Sequence, residues 1–260
     1  MTVVARVTHL HRTAIKGFGV TSEPFLELSA AGARADREFF MVDEADKLFS
    51  VTRTGAFLDH WSRYLPSERL LEIGRGEETL FAETIDRGEP ATGRFFADRA
   101  VHGFLVAGPI VDRLSELAGR QVRLIKTEQP TGGVDVEPLT LHSEASVADL
   151  GTEVDGSVLD ARRFRLNLTL DAGPTPYVED TWSGSRLGVG GAELVVGRPV
   201  PRCAAVQRHP DDGGRGVNVL KRIRERRSGE AQPESIDLGV YAQVVTPGRV
   251  SVGDQVQLLG

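Results

Sequence analysis

A strand-dominated α+β fold is what this 260-residue chain predicts, and three observations carry the expectation. Apolar residues alternate over short runs, which is the pattern of strands with one buried face. Those runs are bounded by glycine, proline and aspartate, the residues that make tight turns, and the chain holds 29 glycines and 13 prolines. Few segments show the period of an amphipathic helix. With 40% hydrophobic residues, the chain has material for one large core or two small ones.

In chain order, "VVARVTHL" (3–10), "EFFMVD" (38–43), "ETLFAETI" (78–85) and "QVRLIK" (121–126) are expected strands. "GPIVDRLSELAG" (108–119) is expected to be helical, because Val111, Leu114 and Ala118 share a face and Gly119 suits its C-terminal stop. The Gly/Pro-rich crossing "EQPTGGVDVEP" (128–138) divides the chain into two expected domains, 1–125 and 126–260. Beyond it, "SEASVADLG" is expected to be a short helix capped by Ser143, and "RFRLNLTLD" a strand. Residues 239–259 should form two or three strands around a Thr-Pro-Gly turn, with Pro247 presetting φ and Gly248 permitting a positive one. In "KRIRERR" (221–227) the charges form the wet side of a short helix whose Val217, Leu220 and Ile223 point inward; a docking face for an acidic redox partner is the alternative.

A formal net charge of −6 argues against binding a nucleic-acid backbone. A single cysteine makes no internal disulfide, and Arg6, Arg12 and Lys16 interrupt any leader-like apolar stretch. No window approaches the roughly 20 apolar residues of a spanning helix, so a cytoplasmic protein outside the membrane is expected.

The only thiol, Cys203, follows Arg202, and a neighbouring cation favours the thiolate that attacks electrophiles or binds soft metals. A small buried hydrophobe is the competing account. In "RRFRLNLTLD" a strand would place Arg163, Arg165, Asn167 and Thr169 on one face, opposite Phe164, Leu166, Leu168 and Leu170. Guanidinium and amide together suit an anion or a heteroatom-rich ring, although a solvated outer face has the same pattern. His142 and Ser143 stand where a strand gives way to a helix, a place for an anionic group or for plain N-capping. His9 and His11 would share one strand face with no third metal ligand nearby. "GVGGAELVVG" (188–197) lacks both the dinucleotide fingerprint and a Walker lysine and is expected to be a turn.

Several stretches in order resemble the MOSC family, named for the C-terminus of molybdenum cofactor sulfurase: "HRTAIKGFGVTSEPFLELSAAGARADREFFMVD", "VDRLSELAGRQVRLIK", "HSEASVADL", "RRFRLNLTLD", "RPVPRCAAV" and "GVYAQVVTPGRVSVGDQVQL". The resemblance implies a MOSC β-barrel fold preceded by an N-terminal β-barrel domain. It also implies a molybdopterin-bound molybdenum cofactor, as in the amidoxime-reducing components, with Cys203 as protein ligand to the metal and Arg202 stabilising nearby negative charge. Lys16, Arg37, His142, Ser143, Arg165 and Asn167 match positions of the family that meet the cofactor. The implied activity is reduction of an N-hydroxylated or related N–O or S–O small-molecule substrate, with electrons from a separate donor protein. A cofactor carrier or a sulfur-transfer module using a Cys203 persulfide is the alternative. Gly17 stands where the reductase pattern has serine, Leu166 where it has proline, and "QRHPDDGGRG" keeps only a trace of the family's post-cysteine loop.

Overall fold

A computed structural model describes residues 2–228 and 236–259. Seven strands close into a barrel. Their order is Leu168–Asp171, Leu139–Ser143, Asp237–Thr246, Ala192–Pro201, Arg186–Val189, Gln255–Leu259 and Thr2–Arg12, which pairs back onto Leu168–Asp171. All these pairs are antiparallel except Leu139–Ser143 with Leu168–Asp171. Alternation explains the closure: Leu139 and Leu141, Leu168 and Leu170, and Leu187 face one apolar core, together with Val7 and Leu10 from the first strand. Residues 2–12, on the first side of the expected 125/126 boundary, are thus barrel strand of the second half.

Phe25–Ser29 also joins the second half, pairing with Gly248–Ser251 on one edge and with Gly32–Ala33 on the other, and Leu26, Leu28 and Ala33 enter the barrel core. Most of the remaining first half forms a five-stranded sheet, ordered Pro90–Arg94, Ala100–Leu105, Arg123–Thr127, Phe39–Val42, Ile15–Lys16, and a three-stranded meander, His60–Leu65, Leu70–Arg75, Glu78–Thr84. Phe39 and Leu124 of the sheet meet Tyr64, Leu71 and Ile73 of the meander in a second core, capped by Ile110 and Leu114 of the helix Pro109–Ala118. Gly119 ends that helix in the left-handed conformation, as expected of a glycine with no Cβ to clash. Ser143 caps the helix Glu144–Ala148 by accepting from the Ser146 amide.

Several local expectations fail. "GVGGAELVVG" (188–197) turns only at Gly190–Gly191, and its flanks belong to the paired barrel strands Arg186–Val189 and Ala192–Pro201. Residues 163–167 are not strand: Asp160 caps a 3-10 turn over Ala161–Phe164, Arg165 is left-handed, and strand begins only at Leu168. Phe164 and Leu166 therefore join a separate cluster with Val200, Val206 and Ile223 instead of the barrel core. Gly248 opens a strand with no positive φ; the reason for glycine there is close approach, since a Cβ would collide with the Gly191 carbonyl oxygen. Of the three residues expected to point inward from the helix Val219–Arg226, Ile223 is buried, Leu220 is half-buried and Val217 is buried but lies before the helix. Val219 is buried too, and Arg227, expected on the wet side, is buried against Asp180 at 2.6 Å.

Candidate active-site cleft

A cleft of about 430 Å³ takes its lining from both halves of the chain. Lys16, Arg37, Thr52 and Phe95 come from the first half, and Arg165, Asn167, Arg202, Cys203 and Tyr241 from the second. Six of the eight residues expected from the sequence therefore meet here. His142 and Ser143 do not line it. Ser143 is fully buried as a helix cap, bonded to Ser146. His142 lies buried within the barrel wall, with Nε2 3.5 Å from the Thr169 hydroxyl. Burial, with Arg202 adding like charge, pushes its pKa down to about 3, so it stays neutral.

Cys203 is exposed, which removes the account of an inert core thiol. It precedes the 3-10 turn Ala204–Gln207 with extended backbone, and its sulfur lies 3.7 Å from the Thr52 hydroxyl. Arg202 beside it is buried, donating from Nη2 to the Phe164 carbonyl at 2.7 Å and lying 5.4 Å from the Phe164 ring.

Arg37 and Arg165 both hold left-handed backbone, φ 50° and 58°, a conformation that costs a side-chain-bearing residue about 1 kcal/mol. Arg37 holds the second of these turns, because its Nη2 donates to the Arg165 carbonyl at 2.7 Å. The other arm of Arg37 pairs with Asp36, which also accepts from the Thr13 amide at 2.9 Å and from Asn167 Nδ2 at 3.0 Å. Asn167 is wholly occupied by protein: Nδ2 also reaches the His11 carbonyl, and Oδ1 accepts from the Thr140 amide and hydroxyl. It braces the cleft and offers no free amide to a ligand. Arg163, expected beside Arg165, is turned inward onto Glu153 and the carbonyls of Val206 and Arg208.

Lys16 sits on a two-residue strand parallel to Phe39–Val42, buried, 2.9 Å from Asp135 and 5.3 Å from the Phe95 ring. Burial lowers its pKa, and Asp135 opposes the shift. Gly17 follows at φ 104°, which explains glycine in place of serine. Arg165 Nη2 and Arg202 Nε are buried with no hydrogen-bond partner among the described residues. Burial and neighbouring Arg37 push the Arg165 guanidinium down to about 9, the signature of a cation short of counter-charge. Asp36, Asp135 and Thr52 were not singled out from the sequence; only Asp36, adjacent to Arg37, carried a local signal.

The MOSC domain model matches residues 128–257 of this chain. The chain belongs to the MOSC family. Arg165, Asn167, Arg202 and Cys203 lie inside the matched MOSC region, while Lys16 and Arg37 lie before it. The chain is 33% identical over 132 residues to mitochondrial amidoxime-reducing component 1 of Homo sapiens, covering 48% of this chain and 38% of that protein. It is 31% identical over 128 residues to mitochondrial amidoxime reducing component 2 of Bos taurus, covering 47% and 37%. The match thus spans well under half the length of these curated relatives, at 38% and 37%. The YUAD protein of Bacillus subtilis, a solved structure, is similar at 12% identity and a TM-score of 0.42 over 97% of this chain and 93% of that one. Among the described residues no helix is long and apolar enough to cross a membrane, and no group of three or more His, Cys, Asp or Glu could hold a metal ion.

Proposed function

We propose that the MOSC cleft binds the molybdenum cofactor with Cys203 as soft ligand to the metal, and that the loaded protein reduces N-hydroxylated or related N–O or S–O substrates using a separate electron donor. The observation that carries this reading is that three arginines lining the cleft, Arg163, Arg165 and Arg202, each keep one buried guanidinium nitrogen without a hydrogen-bond partner among the described residues, beside the chain's only thiol. Arg163 is otherwise spent on Glu153 and main chain, which leaves Arg165 Nη2 and Arg202 Nε for a ligand. A metallopterin needs that combination: cations for its phosphate and dithiolene charge, and a soft donor for its metal. The residues present fit it.

When bound, the molybdenum centre supplies the two-electron oxygen-transfer chemistry. The chain supplies position and charge. Arg165 and Arg202 hold the anionic parts of the ligand, because each has a donor unspent on protein. Lys16 adds a third cation, and the ligand competes with Asp135 for it. Arg37, Asp36 and Asn167 act one step back, fixing the strained backbone on which Arg165 is presented. Two relatives named as amidoxime-reducing components support the substrate class.

The reading is tested by metal and pterin content of the purified protein together with reduction of an aryl amidoxime by a chemical or protein donor. Loaded protein that turns over is the expected result; loaded protein without turnover removes the reductase and leaves the binding function. The exposure of Cys203 also favours a sulfur-transfer role through a persulfide. Mass spectrometry decides: a labile extra sulfur on Cys203 that passes to an acceptor would favour that role.

A further inference from the structure

Cys203 and Arg208 stand at the two ends of one 3-10 turn, Ala204–Gln207. The Arg208 side chain leaves that turn and crosses to the first-half wall of the cleft. Its Nε donates to the Val51 carbonyl at 2.7 Å and its Nη2 to the Arg53 carbonyl at 3.2 Å, while Nη1 reaches the Gly213 carbonyl at 2.9 Å. Every guanidinium nitrogen ends on main chain, so this arginine is a clamp between loops rather than half of an ion pair. Thr52 lies between the two gripped first-half carbonyls, and it is the Thr52 hydroxyl that stands 3.7 Å from the Cys203 sulfur.

The contact beside the clamp is equally close. A Cβ on Gly55 would come within 2.7 Å of Gly213 Cα, so the two loops meet backbone to backbone. From behind, Arg163 Nη1 holds the same turn through the carbonyls of Val206 at 3.0 Å and Arg208 at 3.3 Å. The cysteine turn is therefore fixed on one side by the barrel half and tied on the other to the loop that carries Thr52.

We propose that Arg208 is a positioning residue that latches the two walls of the cleft together and so sets how large a molecule reaches the Cys203 sulfur, with Thr52 as the rim. The proposal concerns access to the sulfur and holds whatever the cleft binds, so it stands or falls separately from the cofactor reading.

Because Cys203 is the only cysteine, alkylation of the full chain reports on that one atom. Rates with a small reagent, iodoacetamide, and a bulky one, fluorescein maleimide, are measured at one pH on cofactor-free protein. Both reagents consume the same thiolate, so their ratio cancels any change in its population and reads the aperture. Arg208→Ala should raise the bulky-to-small ratio about threefold to tenfold, the factor that one net hydrogen bond gives to an opening equilibrium. Arg208→Lys, which keeps the charge without the fork, should fall between, and Thr52→Ala should raise the ratio by trimming the rim. Arg222→Ala removes another carbonyl-binding arginine, outside the cleft lining, and should leave the ratio alone. A wild-type ratio in folded Arg208→Ala overturns the latch. Should that variant not fold, a wild-type ratio in both Thr52→Ala and Arg208→Lys overturns it.

Discussion

The two walls of the cleft carry the same sign of charge and dispose of it differently. Lys16 and Arg37 from the first half are already answered by Asp135 and Asp36. Arg165 and Arg202 from the second half each keep one buried nitrogen without a partner among the described residues. An unmade hydrogen bond at a buried donor costs about 1–3 kcal/mol, more when charged. The first wall is electrostatically complete, whereas the second is stable only at a cost that an incoming anion would remove. Ligand recognition is thus expected to fall first on Arg165 and Arg202, with Lys16 contributing only in competition with Asp135 and Arg37 acting as support.

The largest effect that would sharpen this contrast belongs to Arg37. Arg37→Met leaves Asp36 fully buried and short of its cation, and should destabilise the protein by about 3–5 kcal/mol in chemical denaturation. Arg165→Met should do the reverse to the ligand-free protein, raising its melting midpoint by removing an uncompensated charge. It should also weaken binding of an anionic ligand by about tenfold to a hundredfold, the range for a charged hydrogen bond, as read by equilibrium binding. Equal destabilisation by the two substitutions would erase the distinction between the walls.

A smaller effect comes with pH. Burial holds His142 down to about 3 and His11 down to about 4, so neither adds a cation to the cleft at neutral pH. In the window between about 4 and 6.5 the unfolded chain binds these protons and the folded chain does not. Stability is therefore full above pH 6.5 and is lost as pH falls, at up to about 1.4 kcal/mol per unit for each histidine. Denaturation midpoints from pH 7 to 5 should show a shallower slope in His142→Leu. A further change is Asp135→Asn. The exposed Asp135 loses little, but buried Lys16 loses its counter-charge, so the substitution should destabilise the ligand-free protein while tightening inorganic phosphate binding through the released Lys16. Weaker phosphate binding would show that Asp135 orders Lys16 instead of competing for it.

What the sequence made legible was what local chemistry decides. Gly119 and Ser143 cap helices because a left-handed stop and a side-chain acceptor are needed within a few residues of where they stand. The alternation of Leu168 and Leu170 marks a barrel face for the same reason. Residues 163–167 alternate just as well and are a turn, because the left-handed Arg165 is held by Arg37, 128 positions away in the chain. No local pattern encodes that tie. Membership of residues 2–12 in the second half's barrel is likewise set by pairing with strands near residues 170 and 257. Of the site, the thiol and its cations were readable by residue type. Asn167 was readable as a cleft residue, while its saturation by His11, Asp36 and Thr140 required the fold. Thr52 belongs to no motif and meets Cys203 from the other half of the chain, beside the bond from Arg208 to the Val51 carbonyl.

The most direct test of the central claim is the molybdenum and pterin content of wild type and Cys203→Ser purified side by side from a host that makes the cofactor. The account predicts that wild type carries both in amounts comparable to protein, and that Cys203→Ser, with its fold intact, loses most of the metal. Equal metal in the two proteins, or wild type devoid of both metal and pterin, would contradict it.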